Sequence, residues 1–320
     1  MTKFVGRRGT LGIATEVTRG MIATPPAYWF PFAKMSFMDS TEIAVESQGL
    51  GNIADQDSQY VTFQFGAGSI DAEIYDIGLG FILQSLLGAK GVKTGSGPYT
   101  YTYTMSQTNQ SITNTLYWSD PDRSYMFPMA VVDSLKISVA PKGMVEYLVT
   151  FKSRKARDWT VLTPNFTTNG SKFLHQHLQF RLASTVGAVS AASEVPLKNL
   201  ELTIARNAIN DELLGTVEPD DILSQQLGVT GTLTLNLTDD TFRNNMLNGT
   251  YQAGELKFVN GANSSLQLIF PRLAFSSWAP DWTLNQIASQ KINLTANYDA
   301  ANALQIISTC VLINQFSTGY

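Results

Sequence analysis

The segment GSIDAEI, residues 68–74, puts Ile70, Ala72 and Ile74 on one side of an extended chain and Ser69, Asp71 and Glu73 on the other. GTLTLNL, residues 231–237, repeats the arrangement, with Leu233, Leu235 and Leu237 opposed to Thr232, Thr234 and Asn236. A period of two is that of a half-buried antiparallel strand, with one face on a core and the other on solvent or a lumen. The same alternation runs through 60–65, 99–104, 134–139, 199–204 and 291–295. Helical patterns are few. DIGLGFILQSLL, residues 76–87, can be capped by Asp76 and ended by Gly88, with Gly78 and Gly80 suited to close packing. Residues 240–247 form a second candidate and 218–223 a short acidic turn. The chain therefore reads as all-β with short accessory helices.

The two quoted segments also align the halves of the chain. Residues 68–76 lead into a helix ending Leu86-Leu87-Gly88, and residues 231–239 into one ending Leu247-Asn248-Gly249. Beyond the helices, SITNTLYW from Ser111 aligns with SLQLIFPR from Ser265, and 133–151 with 288–314. The expected organisation is an extended N-terminal arm over 1–32, a first β module over 33–159, a linker and long loop over 160–198, and a second β module over 199–320.

Composition limits the function classes. Charged residues are only 15% of the 320, below the roughly 25% of an average globular domain, which suits a surface covered by partner subunits. The net charge of −4 argues against tight nucleic-acid binding, which needs clustered cations; KSRKAR, residues 152–157, is the one short cluster. The single cysteine, Cys310, sits in an apolar run and can build no disulfide within one chain. No stretch is long and apolar enough for a secretory signal or a membrane span, so the expectation is a protein made and kept in a cytoplasm.

No catalytic constellation emerges. His175 and His177 in FLHQHLQF would share one face of a strand, but two ligands fall short of a zinc site. Gly66-Ala67-Gly68-Ser69 precedes a strand and offers no helix N-terminus to a phosphate. Glu218, Asp220 and Asp221 lack the ligand spacing of a calcium loop. Trp278 and Trp282 could line a carbohydrate site or anchor a loop at an interface. No enzymatic activity, cofactor or metal is expected.

The order of motifs resembles the major tail tube proteins of long-tailed, siphovirus-type bacteriophages. An arm of the form G-x-x-x-x-L-G-I-x-x-E-x-x-x-G is met by GRRGTLGIATEVTRG, residues 6–20, followed by TPPAYWFPF. The middle block is GAGSIDAEIYDIGLGFILQSLLG, and the C-terminal block SLQLIFPRLAFSS, KINLTANYD and TCVLIN. The resemblance implies duplicated antiparallel β-sandwich or half-barrel modules that complete a barrel across subunits. It implies a structural virion protein of the viral tail, assembled in the host bacterial cytoplasm, whose rings stack into the channel for DNA passage at genome ejection. Implied partners are further copies of the chain, a tape measure protein, and tail terminator and distal tail proteins, with transient non-specific contact with viral DNA and no membrane.

The resemblance implies six barrel modules around the channel; if each half supplies one, three chains complete a ring with pseudo-sixfold symmetry, and six chains are the alternative. Ser69, Asp71, Glu73, Thr232, Thr234 and Asn236 are then the lumen-facing candidates. The arm and the 184–196 loop are expected to bridge rings, so removing the first 20 residues should leave a folded subunit. The competing function is a baseplate, fibre or lectin-like β-sandwich binding host glycan through Trp278 and Trp282.

Overall fold

The computed structural model describes residues 5–320 apart from 49, 50, 52, 54, 57, 161, 162 and 167–169. Strand accounts for 50% of the residues and helix for 9%, and every named strand pairing is antiparallel, so the fold class is all-β with short helices. The backbone of the architecture is one uninterrupted ladder. Strand Met38–Val45 pairs with Gln59–Glu73, which pairs with Glu146–Arg154, then Ser124–Val139. Ser124–Val139 pairs on its other side with Leu197–Ala205, and the ladder continues through Gly228–Asn236 and Ser289–Ala296 to Ser265–Asp281.

Two long strands turn out of this ladder into further sheet. The first part of Ser124–Val139 pairs with Asn114–Ser119, which pairs with Thr10–Thr15. The first part of Ser265–Asp281 pairs with Gln252–Val259, which pairs with Leu178–Ala183. The apolar faces of all these strands meet in one core.

The strand register of the two halves corresponds at two irregularities. Ser134↔Thr150 is followed, after one skipped residue, by Val132↔Phe151; Ser277↔Asn293 is followed, after one skipped residue, by Phe275↔Leu294. A second irregularity also recurs. Asn114↔Ala130 gives way to Leu116↔Phe127 across Pro128, and Gln252↔Leu273 gives way to Gly254↔Phe270 across Pro271. Both bulges carry a Phe-Pro dipeptide, where the missing N–H is tolerated. Gly68 pairs with Phe151 and Gly231 with Leu294, so the sequence alignment of 68 with 231 holds.

Past the helices that alignment needs correction by one strand. Asn114–Ser119 corresponds to Gln252–Val259, not to the strand from Ser265, and the hairpin 124–154 corresponds to 265–296. Alternating strands look alike in projection, so a slip by a whole strand leaves the hydrophobic pattern intact.

Helix α1, Asp76–Leu87, is buried over its whole length. Gly88 ends it with φ of 79°. A Cβ on Gly80 would lie 2.0 Å from the Tyr320 ring, and one on Gly78 2.7 Å from Tyr28, so both glycines serve close approach. Asp76 does not cap its own helix; Tyr75 holds that position, and the Asp76 carboxylate accepts the Ser171 N–H at 3.0 Å. Helix α2 spans Val186–Val189 and helix α3 Thr241–Leu247.

Several segments expected to be loose are built in. Within the expected arm, Thr10–Thr15 and Tyr28–Phe30 are strands, and Leu11, Ile13, Tyr28 and Phe30 belong to the core. Leu178–Ala183, within the expected linker and loop, is a sheet strand, and α2 packs Val189 against Ala253 and Ile269. The expected acidic turn at 218–223 is instead the end of a hairpin whose strands are Ala208–Asp211 and Asp221–Ser224.

Candidate assembly surface

The six candidate residues fall on one face of the ladder. A single row of paired positions runs Glu73, Glu146, Ser138, Glu201, Thr232, Asn293, Ser277. Ser69 and Asp71 share that side with Glu73, and Thr234 and Asn236 share it with Thr232, because successive strand residues alternate. Their in-between neighbours Ile70, Ala72, Leu233 and Leu235 are buried in the core. The polar face carries both signs: Asp71, Glu73, Glu146, Glu201 and Asp281 stand with Lys34, Lys136 and Lys291, while Lys152 at its margin donates to the Ala208 carbonyl of the neighbouring hairpin. Lys136 pairs with Glu201 at 3.0 Å, and Lys172 reaches Glu73 from the rim. A shallow depression of about 330 Å³ lies on this face between Lys136, Glu201, Thr230 and Asn293.

The halves are joined where Ser124–Val139 meets Leu197–Ala205, from Ser134↔Ala205 to Val139↔Leu200. Leu135, Ile137, Leu200, Leu202 and Ile204 close the core beneath the joint. A clasp reinforces it. The hairpin Ala208–Asp211/Asp221–Ser224 folds back over the first half, burying Ala208 and Ile222 against Met129 and Val131. The basic cluster 152–157 grips its tip. Arg154 donates to the carbonyls of Pro219 and Asp220, and Arg157 and Lys155 pair with Glu218 at 2.7 and 3.3 Å. Burial pushes the Glu218 carboxyl up, but the hydrogen bonds and charges of Arg157 and Lys155 outweigh it and hold the pKa below the usual value. Arg19 adds an ion pair to Asp221 at 2.6 Å. The basic cluster the sequence offered for phosphate is therefore engaged within the chain, with the Glu218 carboxylate and the carbonyls of Pro219 and Asp220.

Glu16 is a residue that sequence reasoning passed over. It is buried, and its carboxylate accepts the N–H of Gly20 and Met129 and the hydroxyls of Thr113 and Thr115. Its place in the arm motif, four residues before Gly20, was the available signal; Gly20 has φ of 76° there.

At each end of the ladder an edge stays open. Among the described residues, the outer side of Met38–Val45 has no strand partner, and neither does the outer side of 274–281. By the register, Met38–Val45 occupies the place of the joint strand Leu197–Ala205 and its following hairpin, and 274–281 the place of the second part of Ser124–Val139. The open edges thus correspond in register to the two sides of the inner joint.

A family model described as phage tail tube protein matches residues 6–302. The chain belongs to that family. Among curated proteins, none matches the chain. Family membership makes it a structural component of a phage tail that assembles with itself into a tube. Within that frame the remaining candidates take modest places. His175 and His177 lie on a 3-10 turn and not on a strand; His177 Nδ1 accepts the Leu174 N–H at 3.1 Å, and His175 contacts the Gly143 carbonyl. Trp278 packs against the core and donates to Gln290 at 2.8 Å, while Trp282 stands out in solvent at the open edge, so the two do not form one platform. Among the described residues, no helix is long and apolar enough to cross a membrane.

Proposed function

We propose that three copies of this chain close into a ring of six β modules, and that stacked rings form the tail tube of a siphovirus-type phage. The single observation that carries this reading is the unequal bookkeeping of edges: among the described residues, each chain contains one completed joint and one open edge of each kind. Head-to-tail association through such edges repeats until it closes, and closure leaves no edge strand to pair uncontrollably. Each module takes in the strand ahead of it, so the first runs from Thr10–Thr15 through 159, and the second from Leu178–Ala183 through 320.

The polar face of the ladder lines the channel, with Ser69, Asp71, Glu73, Thr232, Thr234 and Asn236 among the lumen residues. Its mixed charges, with no excess of cations, suit a conduit for DNA at genome ejection, because a wall without excess lysine and arginine gains nothing from counterion release and does not hold the polymer. The role is mechanical and not catalytic. The tube assembles in the host cytoplasm; a tape measure protein inside it and tail terminator and distal tail proteins at its ends are the partners such a role needs.

Electron microscopy of the purified, concentrated protein tests the reading. The expected result is hollow tubes whose end-on averages have six lobes but only threefold identity. Discrete particles without a channel would overturn the tube, and six full chains per ring would overturn the three-chain ring.

A further inference from the structure

One hairpin of this protein is exposed while its structural twin is buried. The strand pair Val45↔Gln59 of the first half corresponds to Asn210↔Ile222 of the second, and Ile43 corresponds to Ala208. Ala208 is 2% exposed, seated on the first half; Ile43 is 50% exposed and has no such seat. Val45, Tyr60 and Val61 beside it are also exposed. The seat used by the buried hairpin consists of Met129 and Val131, with Asn109 and Ser111 holding Ser224. Carried to the second half by the shared bulges, Met129 becomes Arg272, Val131 becomes Ala274, and the stretch after Ser111 becomes the stretch up to Tyr251. That surface is open: Tyr251 is exposed, with the Arg272 guanidinium 3.8 Å from its ring centroid, and Tyr298 is exposed close by in sequence to the strand end.

The open edges tell the same story. Val139 is 4% exposed, covered by Leu200, whereas its counterpart Trp282 is 73% exposed. Leu200 corresponds to Met35 through their pairings with Leu233 and Ile70. The Ser36 N–H donates to the Ser69 carbonyl at 2.8 Å, so by alternation the N–H and C=O of Phe37 point outward, towards a missing strand. Pro280 stands at the matching position on the other edge. It has no N–H to leave bare in a free subunit, yet its carbonyl can accept the Phe37 N–H.

We infer that the hairpin Met38–Val45/Gln59–Glu73 of one copy docks on the Tyr251, Arg272 and Ala274 surface of the next, with the edge strands paired as Met35↔Trp282, Met38↔Ala279 and Ser40↔Ser277. The occupant is a second copy, because the two edges lie at opposite ends of an eight-stranded ladder, roughly 34 Å apart at about 4.8 Å per strand. The register copies that of the inner joint, where Leu200↔Val139, Thr203↔Lys136 and Ala205↔Ser134 hold the same places. This rests on reading the chain as a ring-forming tube subunit.

Cysteine pairs in the full chain test it. Met38↔Ala279 would be a non-hydrogen-bonded pair, with Cα atoms about 4.5 Å apart and within disulfide reach. The native Cys310 does not interfere, since it is buried and burial pushes its thiol pKa well up. Oxidised tubes of the M38C/A279C variant should give covalent dimers and trimers on denaturing gels. The inner-joint pair K136C/T203C should close within the chain, and the offset pair M38C/D281C should cross-link at least tenfold more slowly.

A hairpin variant keeps the test open if the cysteine variant misfolds. Val61→Asp alters an exposed side chain, so it should leave the melting temperature of the free subunit unchanged and raise the concentration needed for tube growth at least tenfold. Tubes in which K136C/T203C closes but M38C/A279C does not, or tubes of V61D growing like the parent, would overturn this interface while leaving the tube reading intact. Absence of tubes from the unmodified protein would overturn the tube reading instead.

Discussion

The Glu16 carboxylate accepts the backbone N–H of Met129 at 2.8 Å, tying the N-terminal segment to the bulge of the longest strand in the first half. Met129 has φ of 56°, an uncommon conformation for a side chain of its size, and the buried carboxylate is what satisfies its N–H. Glu16→Ala would strand that donor along with the Gly20 N–H and two hydroxyls. The expected loss is about 1–3 kcal/mol in urea unfolding, and retention of full stability would count against the role. Removing the first 20 residues, which also strips Leu11 and Ile13 from the core, should abolish folding and not merely assembly, as far-UV circular dichroism would report.

Gly80→Ala places a methyl against the Tyr320 ring, which itself packs on Phe81 and Tyr101. Overpacking of this kind costs about 1–3 kcal/mol. A denaturation midpoint equal to that of the parent would show that the ring moves aside freely.

The clasp between the halves has a pH signature. Glu218 titrates below its ordinary value of 4.5 in the folded protein, so the stability it contributes is present above that pH and is lost as pH falls through the lower, folded value. Glu218→Gln removes the charge on both sides of the transition. The parent should therefore be the more stable of the two near neutrality, with the difference shrinking towards zero below pH 4.5. A difference that stays constant on acidification would exclude the ion pairs with Arg157 and Lys155 as its source.

Thiols introduced at Asp71 and Thr232 test the proposed channel wall. Both should react with bulky maleimides in the free subunit and become protected in assembled tubes. Equal reactivity in the two states would put the polar face on the outside.

Local signals made much of this fold readable. Helix α1 announces its end through Gly88, and strands such as 228–236 announce themselves by strict alternation. Thr10–Thr15 did not, because Leu11 to Ala14 are all buried and the alternation vanishes. Leu178–Ala183 does alternate Leu178, Phe180 and Leu182, but its partner lies far along the chain at Gln252–Val259. The polar face was legible for the same reason as the strands. The joint and its clasp were not, since Arg157 finds Glu218 across 61 residues of sequence. One overlooked signal would have corrected the internal alignment: the dipeptides Phe127-Pro128 and Phe270-Pro271 mark the same bulge.

In the proposed three-chain ring, the uninterrupted ladder would make the two kinds of joint unequal. The inner one, from Ser134↔Ala205 to Val139↔Leu200, forms between segments of one polypeptide and closes at the high effective concentration of tethered partners. The outer one forms only when two diffusing bodies meet, and it must offset their lost translational freedom. Alternating around the circumference, they would divide the wall into reinforced staves and plain seams. Under hoop stress from pressurised contents, such a cylinder would split lengthwise along three lines and shed whole polypeptides, never isolated modules.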